Sequence, residues 1–560
     1  MKGSEAIIES LKAAGTEVIF GLPGGVVIPL YDALFDSDLS HYLVRHEQGA
    51  AHMADGYARA TGKTGVCIAT SGPGATNLVT GIANAYLDST PIVAITGQVR
   101  SDLIGTDAFQ EVDITGITQP IVKHSYLIKD PKDIPRVIKE AFYIASSGRP
   151  GPVLIDIPVD MQNAEIDYVE GKKIDLPGYR PTLKGHKKQI RAAARAITAA
   201  EKPVLYVGGG VITAGAEKEL QALAKLMKIP VATTLMGIGT FPEDNVLSLG
   251  MLGMHGTGYA NYAVTHSDLL IGVGARFDDR VTGKLSTFAR HAKKIHIDLD
   301  PAEISKNVLI DIPIVGDAKN VLAGLVAELK SMKRDARKTA AWIDQINTWK
   351  KKHPLSYQDE EGSIMPQFVV EEIDRVTRGN AIIVTEVGQN QMWSALFYKH
   401  KKPRHFISSG GLGTMGFGFP ASIGAKVGRP DKTVIDIAGD GSFQMTIQEL
   451  ATAVCYDIPV IVCILNNGFL GMVRQWQELF WNKRYSETII SCQPDFAALA
   501  DAYGALGITI TEKKDVADAI RTAIKAKKPA VLDFKVRAEE NVFPMVPAGK
   551  SIEEMIGGHK

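Results

Sequence analysis

The sequence predicts an α/β protein of three doubly wound parallel-sheet domains in series. Three observations carry that prediction. The 560 residues exceed one domain several-fold at roughly 100–200 residues each. Short apolar runs alternate with helical patterns in three separate stretches, and two polar, charge-rich segments separate those stretches. Strand and helix in alternation argue for a parallel sheet covered by helices on both faces.

Residues 1–165 form the first unit. MKGSEAIIESLKAAGTEVIF reads as an amphipathic helix leading into a strand, and TGVCIAT, PIVAITG and PVLIDIP read as further strands. Between them lie helical patterns such as ATNLVTGIANAYLDS and PKDIPRVIKEAFYIASSG. The polar stretch from Asn163 to Lys188, with Pro177, Pro181, Lys184, His186 and Lys187, reads as a linker with a solvated face. Residues 189–330 repeat the alternation through PVLYVGGGV, IPVATTL, DLLIGVGA and KIHIDLD. After the charged run KRDARKTAAWIDQINTWKKKHPLSYQDEEG, a third unit at 365–535 carries NAIIVTEVG, TVIDIAGDGS, IPVIVCILNNG and PAVLDFKV. It matches the first unit in length and alternation and leaves 536–560 as a C-terminal tail.

Composition narrows the function classes. Hydrophobic residues at 45% and charged residues at 22% are ordinary for a globular chain, which argues against disorder and coiled coil. Sixty-two basic and 62 acidic residues cancel, so no overall field gathers phosphate backbones or anionic lipid. Neither nucleic acid nor a membrane is an expected partner. The four cysteines form no CxxC pair, the N-terminus has no signal-type apolar core, and no apolar run reaches the ~18 residues of a span. A cytoplasmic location is expected.

Glycine is the over-used residue, 54 of 560, and its clusters fall where strands should end. GLPGG, SGPG, GGG, GGLGTMGFG and GDGS all follow apolar runs, the usual place for ligands in open α/β sheets. One such cluster alone reads as turn chemistry. GDGS carries more, because the next strand ends at Asn466-Asn467, 27 residues beyond Asp440. Two neighbouring strand ends would then present side-chain oxygens together, as Mg²⁺ requires, and the helix FQMTIQELATAV, starting just after Ser442, would turn its N–H groups to a diphosphate.

GDGS followed by a double asparagine at this distance resembles the diphosphate and metal motif of thiamine-diphosphate enzymes. The resemblance implies that Asp440 and Asn467 bind Mg²⁺ through side chains and Phe469 through its carbonyl. It places thiamine diphosphate against Gly25, Gly72, Asn77, Val387, Gln389, Gly413, Met415, Gly439, Gly441 and Ser442. Glu47, in RHEQGAA, matches the glutamate that activates the cofactor; taken alone it would read as a first-turn carboxylate favoured by the helix dipole.

Over residues 3–555 the chain resembles the biosynthetic acetohydroxyacid synthase (acetolactate synthase) catalytic subunits. Segments carrying that likeness include IGTDAFQEVDITGIT, GARFDDRVTGKL, GMVRQWQELF and NVFPMVPAG. The implied reaction decarboxylates pyruvate and joins the two-carbon unit to pyruvate or 2-ketobutyrate, giving 2-acetolactate or 2-aceto-2-hydroxybutyrate for valine, leucine and isoleucine biosynthesis. Met415 would wedge the cofactor into a bent shape. Trp476 would line the acceptor pocket and favour the larger 2-ketobutyrate, a preference worth ~1–3 kcal/mol for one methylene. Arg280 would face the acceptor carboxylate, or else pair with Asp278 or Asp279. Phe109 and Gln110 would sit near the donor.

The central unit resembles the flavin-binding domain of these enzymes at Gly208, Gly209, Gly210, Thr234, Leu235, Met254, His255, Gly256, Arg276 and the acidic strand end around Leu299 in KIHIDLD. FAD is therefore implied, although the reaction has no net redox change. The alternative is a degradative acetolactate synthase, or a pyruvate decarboxylase or oxidase on the same scaffold. At least a homodimer, or a homotetramer, is implied, with a regulatory small subunit as a further partner. Five positions depart from the family pattern: Val159 replaces a lysine, Leu22 and Val26 make the GLPGG corner more apolar and tighter, and Glu386 and Asn390 replace an aspartate and a histidine.

Overall fold

The computed structural model describes residues 1–169, 174–332 and 338–557. Parts of both expected linkers and the last three residues of the tail lie outside the described residues. Three six-stranded sheets follow one another along the chain, and every strand pairing in them is parallel.

The first sheet contains β1 (Val18–Gly21), β2 (Ser40–Leu43), β3 (Gly65–Ala69), β4 (Ile92–Gln98), β5 (His124–Leu127) and β6 (Val153–Pro158), in the order β2-β1-β3-β4-β6-β5. The second contains β7 (Pro203–Val207), β8 (Val231–Thr233), β9 (Ser248–Met251), β10 (Leu269–Val273), β11 (Lys293–Asp298) and β12 (Ile312–Val315), in the order β12-β11-β10-β7-β8-β9. The third contains β13 (Ile382–Thr385), β14 (Phe406–Ser408), β15 (Val434–Gly439), β16 (Val460–Asn466), β17 (Leu506–Ile510) and β18 (Ala530–Lys535), in the order β14-β13-β15-β16-β18-β17. The central strands are buried along their whole length, which is why they read as unbroken apolar runs such as VIVCIL.

The first and third sheets share one strand order, so the likeness of their sequences is a likeness of topology. Each reverses direction between its first and third strands, β1/β3 and β13/β15. The central sheet reverses between β7 and β10, the order of dinucleotide-binding sheets. Ligands bind at such switch points because flanking helices leave in opposite directions and open a crevice. GLPGG and SGPG follow β1 and β3, Glu386 and GDGS follow β13 and β15, and the GGG run and GARFDDR follow β7 and β10.

The first and third domains join through two helices, Glu47–Thr61 and Gly418–Gly428. Here glycine is required by close approach: a Cβ on Gly424 would lie 1.9 Å from the Met53 carbonyl oxygen, and one on Gly56 would lie 2.0 Å from that of Ala421. A continuous core including Met53, Tyr57, Phe419, Phe443 and Phe496 runs through this contact.

Two local expectations change. The helix expected after Ser442 is broken: a single helical turn spans Asp440–Phe443, Thr446 is non-helical, and a 3₁₀ turn at Ile447–Glu449 leads into the helix Leu450–Cys455. Thr446 Oγ1 donates to the Gly416 carbonyl at 3.1 Å, which pulls the chain out of helical geometry. The segment after 535 is pinned rather than trailing. Gln475 brackets Val542 through both amide atoms, Val546 N–H donates to the Met254 carbonyl at 2.8 Å, and Ile552 is buried in the core of the central domain.

Candidate active site

The predicted residues gather into three groups. The first lies on the first domain. His46 caps the helix that begins at Glu47, accepting the Gln48 N–H on its ring nitrogen. Glu47 is 7% exposed and accepts from Asn77 Nδ2 at 2.9 Å. Gly74 is close by, since a Cβ there would lie 3.3 Å from Glu47 Oε1. Gly72 has φ +59, and a Cβ on it would meet the Gln110 carbonyl at 2.7 Å. Gln110 itself has positive φ, Phe109 beside it is 88% exposed, and Gly25 faces open space.

The sequence reading missed what holds this turn. Glu449 of the third domain, fully buried, accepts the backbone N–H groups of Arg45 and His46 at 3.0 and 2.9 Å, just before Glu47. Burial pushes its carboxyl up to about 7. A lone carboxylate in the apolar run IQELATAV was the available signal.

The second group surrounds the GDGS turn. Asp440 is fully buried; Oδ2 accepts from Gln493, while Oδ1 has no partner. Burial raises its carboxyl to about 6. Asn467 Oδ1 accepts the Phe469 N–H at 3.1 Å, and its amide donates to Gln389 Oε1 at 3.1 Å. Gln389 in turn donates to Gln475 and to the Glu540 carbonyl, both at 2.9 Å. Ser442 Oγ accepts the Gly439 N–H at 3.1 Å, closing the turn. A Cβ on Gly441 would lie 3.0 Å from Leu470 and Ile490 and 4.0 Å from the Met415 methyl. Met415 therefore overlooks the GDGS turn. Among the described residues no three His, Cys, Asp or Glu side chains cluster as a metal site. A mixed set of carboxylate, amide and carbonyl oxygens suits a hard cation such as Mg²⁺, and the orphaned buried Oδ1 of Asp440 fits that use.

The third group lines a cleft of about 1030 Å³ at the switch point of the central sheet. Gly208, Gly209, Gly210, Thr234, Leu235, Met254, His255, Arg276, Leu299, Arg280, Val387, Gly413, Met415 and Trp476 all line it. Gly208 and Gly210 also have a packing reason, because a Cβ on either would press within 2.2 or 2.7 Å of Gly274. Two expectations are corrected. Gly256 is not among the lining residues, because its turn folds back on Leu252, 2.4 Å from a Cβ there. Leu299 carries no charge; the acid of that strand end in the cleft is Asp298, with Asp300 turned to Arg149. Burial pushes the His255 imidazole down to about 4, so it is neutral at pH 7. Arg280 is 59% exposed, with long contacts to Asp279 (3.8 Å) and the Met254 sulfur (3.9 Å). Trp476 buries its indole N–H without a partner.

Glu386 lies under the loop that carries Met415. It is fully buried and accepts the N–H groups of Gly416 at 2.7 Å and Phe419 at 3.0 Å. Asn390 donates to the Ile437 carbonyl at 2.7 Å. Val26 packs on Gly97 and accepts from Gln162 at 2.9 Å through its carbonyl, which holds the GLPGG corner to the first sheet.

Three known domain families match this chain: thiamine pyrophosphate enzyme N-terminal TPP binding domain (residues 1–117), central domain (190–325) and C-terminal TPP binding domain (386–534). Full-length relatives are similar throughout. A probable acetolactate synthase large subunit of Methanocaldococcus jannaschii is 54% identical, with 99% of this chain and 95% of the relative covered. The acetolactate synthase large subunit of Corynebacterium glutamicum is 53% identical over 98% and 89%, and that of Haemophilus influenzae 50% over 99% and 98%. The chain belongs to the acetolactate synthase large-subunit family of thiamine-pyrophosphate enzymes. Its activity is thiamine-diphosphate-dependent synthesis of acetolactate. Within that family the cofactor's two binding domains are the first and third sheets described above, and the central sheet carries the cleft. No helix among the described residues is long and apolar enough to cross a membrane.

Proposed function

We propose that catalysis requires two copies of the chain, the Glu47 group of one meeting the Asp440 group of the other, so that the working unit is at least a homodimer. The observation carrying this reading is the separation of the groups. Glu47 is bonded to Asn77, whereas Asp440 is bonded to Gln493 and Asn467 to Gln389 and Phe469, so among the described residues no hydrogen bond joins the two groups. Large apolar side chains stand exposed near both groups: Phe109 at 88%, Ile489 at 58% and Met445 at 53%. Apolar surface left open beside a polar site marks a contact face.

Thiamine diphosphate supplies a nucleophilic ring carbon and an electron sink for decarboxylation of a 2-ketoacid. Glu47, buried and oriented by Asn77, would hold and return a proton to that cofactor. Gly439, Gly441 and Ser442 leave room for its diphosphate, and Gly25, Val387, Gln389 and Gly413 complete the surroundings. Asp440, Asn467 and the Phe469 carbonyl would hold Mg²⁺. Met415, whose methyl overlooks the GDGS turn beside Gly441, would pack against the bound cofactor. Arg280, with no short ion pair, offers its fork to the carboxylate of the acceptor, and Trp476 contacts the acceptor's alkyl end. Phe109 and Gln110 approach the donor from the partner copy.

The central cleft suits FAD. It sits at a dinucleotide-type switch point, is lined by Gly208–Gly210 and Arg276, and continues to Met415. The domain spans 1–165, 189–330 and 365–535 and the C-terminal segment 536–560, whose described residues to 557 are strapped back over the centre, complete this reading, as does a cytoplasmic location. The relatives are named large subunits, which makes a small regulatory subunit a further partner.

Product analysis with pyruvate alone, and with pyruvate plus 2-ketobutyrate, tests the assignment. Acetolactate and then mostly 2-aceto-2-hydroxybutyrate are expected from protein with a flavin absorption spectrum. Free acetaldehyde as the main product would overturn the acceptor roles of Arg280 and Trp476. Colourless, flavin-free active protein would overturn the FAD reading.

A further inference from the structure

The helix Val79–Leu87 ends in a residue whose placement its own helix does not favour. Asp88 is the C-cap, where the helix dipole repels a carboxylate. Its side chain is nevertheless completely buried. Tertiary contacts hold it there. Arg59 Nη2 donates to Oδ2 at 2.8 Å, Gly410 N–H donates to the same oxygen at 3.0 Å, and Gly411 N–H donates to Oδ1 at 2.6 Å. Gly411 is a glycine for this contact: a Cβ there would lie 2.9 Å from Asp88 Oδ1 and from the Leu87 Cβ.

One turn earlier, Asn84 extends the grip. Its amide oxygen accepts from Ser409 Oγ at 2.6 Å and Thr414 Oγ1 at 3.2 Å, and Ser409 Oγ accepts the Thr414 N–H at 2.9 Å. Arg59 also donates to the Ser408 carbonyl at 2.7 Å. A first-domain helix end thus binds the third-domain loop on both sides of Leu412 and Gly413, ending at the residue before Met415. Arg276 of the central domain donates to the Leu87 carbonyl at 3.2 Å, so the same helix end meets all three domains.

We propose that Asp88 is a positioning residue for the reaction: gripped by Arg59, it fixes the backbone of Gly410 and Gly411 and thereby the seat of Met415 in its own chain. The inference rests on the reading that Met415 contacts the cofactor. A carboxylate accepts from all three donors at once, whereas an amide has one acceptor atom and turns its own N–H groups against the rest. Buried donors left without an acceptor then push the loop away.

The test compares Asp88→Asn with Asp55→Asn. Asp55 is an equally buried partner of Arg59 that also accepts from Asn84 Nδ2 at 3.0 Å but touches none of the loop's backbone, so it isolates the contacts of Asp88 to Gly410 and Gly411. Steady-state kinetics with pyruvate, calorimetric titration of apoprotein with thiamine diphosphate in magnesium buffer, and melting temperature are read for both. Asp88→Asn is expected to lower kcat and weaken thiamine diphosphate binding, each by about tenfold or more, with KM for pyruvate within about threefold; Asp55→Asn should keep both within about threefold at a similar melting temperature. Unchanged kcat and binding in Asp88→Asn overturns the proposal, as does a parallel loss in both variants that follows melting temperature alone. If Asp88→Asn does not fold, Ser409→Ala is read by the same criteria. Met415→Ala separates the two layers. Normal turnover and binding in that variant, with both lowered in Asp88→Asn, removes the role of Met415 and leaves the clamp standing; normal values in both overturn the clamp.

Discussion

Glu386 and Asp436 are two fully buried carboxyl groups beside the β13/β15 switch point, close enough for their charges to interact, with Gly418 against the Asp436 side chain and the Glu386 backbone. A Cβ on Gly418 would lie 2.5 Å from Asp436 Oδ1 and 2.6 Å from the Glu386 N atom. Glu386 spends its oxygens on the loop beyond Met415, while neither oxygen of Asp436 has a partner. Burial pushes Glu386 up to about 7, and burial together with the Glu386 charge holds Asp436 well above the carboxylate range. The folded pair therefore keeps a proton that the unfolded chain has already released.

Stability should consequently fall as pH rises from about 4 toward 7, by up to about 1.4 kcal/mol per pH unit while one proton separates the states. Asp436→Asn removes one of the two titrating groups. Thermal melts at about pH 5 and about pH 8 are expected to differ less for this variant than for the wild type. Equal differences would show that the pair does not share a proton.

The metal role proposed for Asp440 has a readout that needs no turnover. Its carboxyl, raised to about 6 by burial, disfavours the folded apoprotein as pH climbs through that value. Without ligand at about pH 8, Asp440→Asn should melt no lower than wild type. With Mg²⁺ and thiamine diphosphate at about 100 times their dissociation constant, wild type should gain about 2.7 kcal/mol and the variant much less. An equal gain would remove Asp440 from the ligand set.

Glu47→Gln keeps an acceptor for Asn77 and the capping turn around His46. It removes only the exchangeable proton. Turnover should fall by about 10²- to 10⁴-fold while thiamine diphosphate still binds, as measured by calorimetric titration. Near-normal kcat would refute its role.

Gly424→Ala tests the contact between the first and third domains. Its methyl group would be driven onto the Met53 carbonyl, where backbone cannot step aside. A loss of about 3 kcal/mol or more is expected, as is a lowered melting temperature. An unchanged melting temperature would mean that the two helices are free to separate.

Much of this molecule was legible in its residues. Unbroken apolar runs bounded by glycine identify strands buried on both faces, because burial on two sides removes the alternation seen in half-exposed strands. GDGS and the double asparagine placed Asp440 and Asn467 just past the ends of two neighbouring strands, because strand ends recur at predictable spacing in α/β units. The Asp440–Phe443 turn was not legible as an interrupted helix, since Thr446 leaves helical geometry for a carbonyl 30 residues away. Nor does local sequence say which of the two acids at that strand end meets the cleft: Asp298 lines it, whereas Asp300 turns to Arg149.

The sequence by itself determined the three-domain α/β order, the family and the chemistry of the cofactor, because these reside in local runs and in motifs with fixed spacing. Tertiary structure alone decided that Asp88 grips the Met415 loop, that Glu449 braces the turn before Glu47, and that Glu47 stands apart from its own chain's cleft. The first two join residues hundreds of positions apart, and no local propensity encodes which buried donor a distant carboxylate will find.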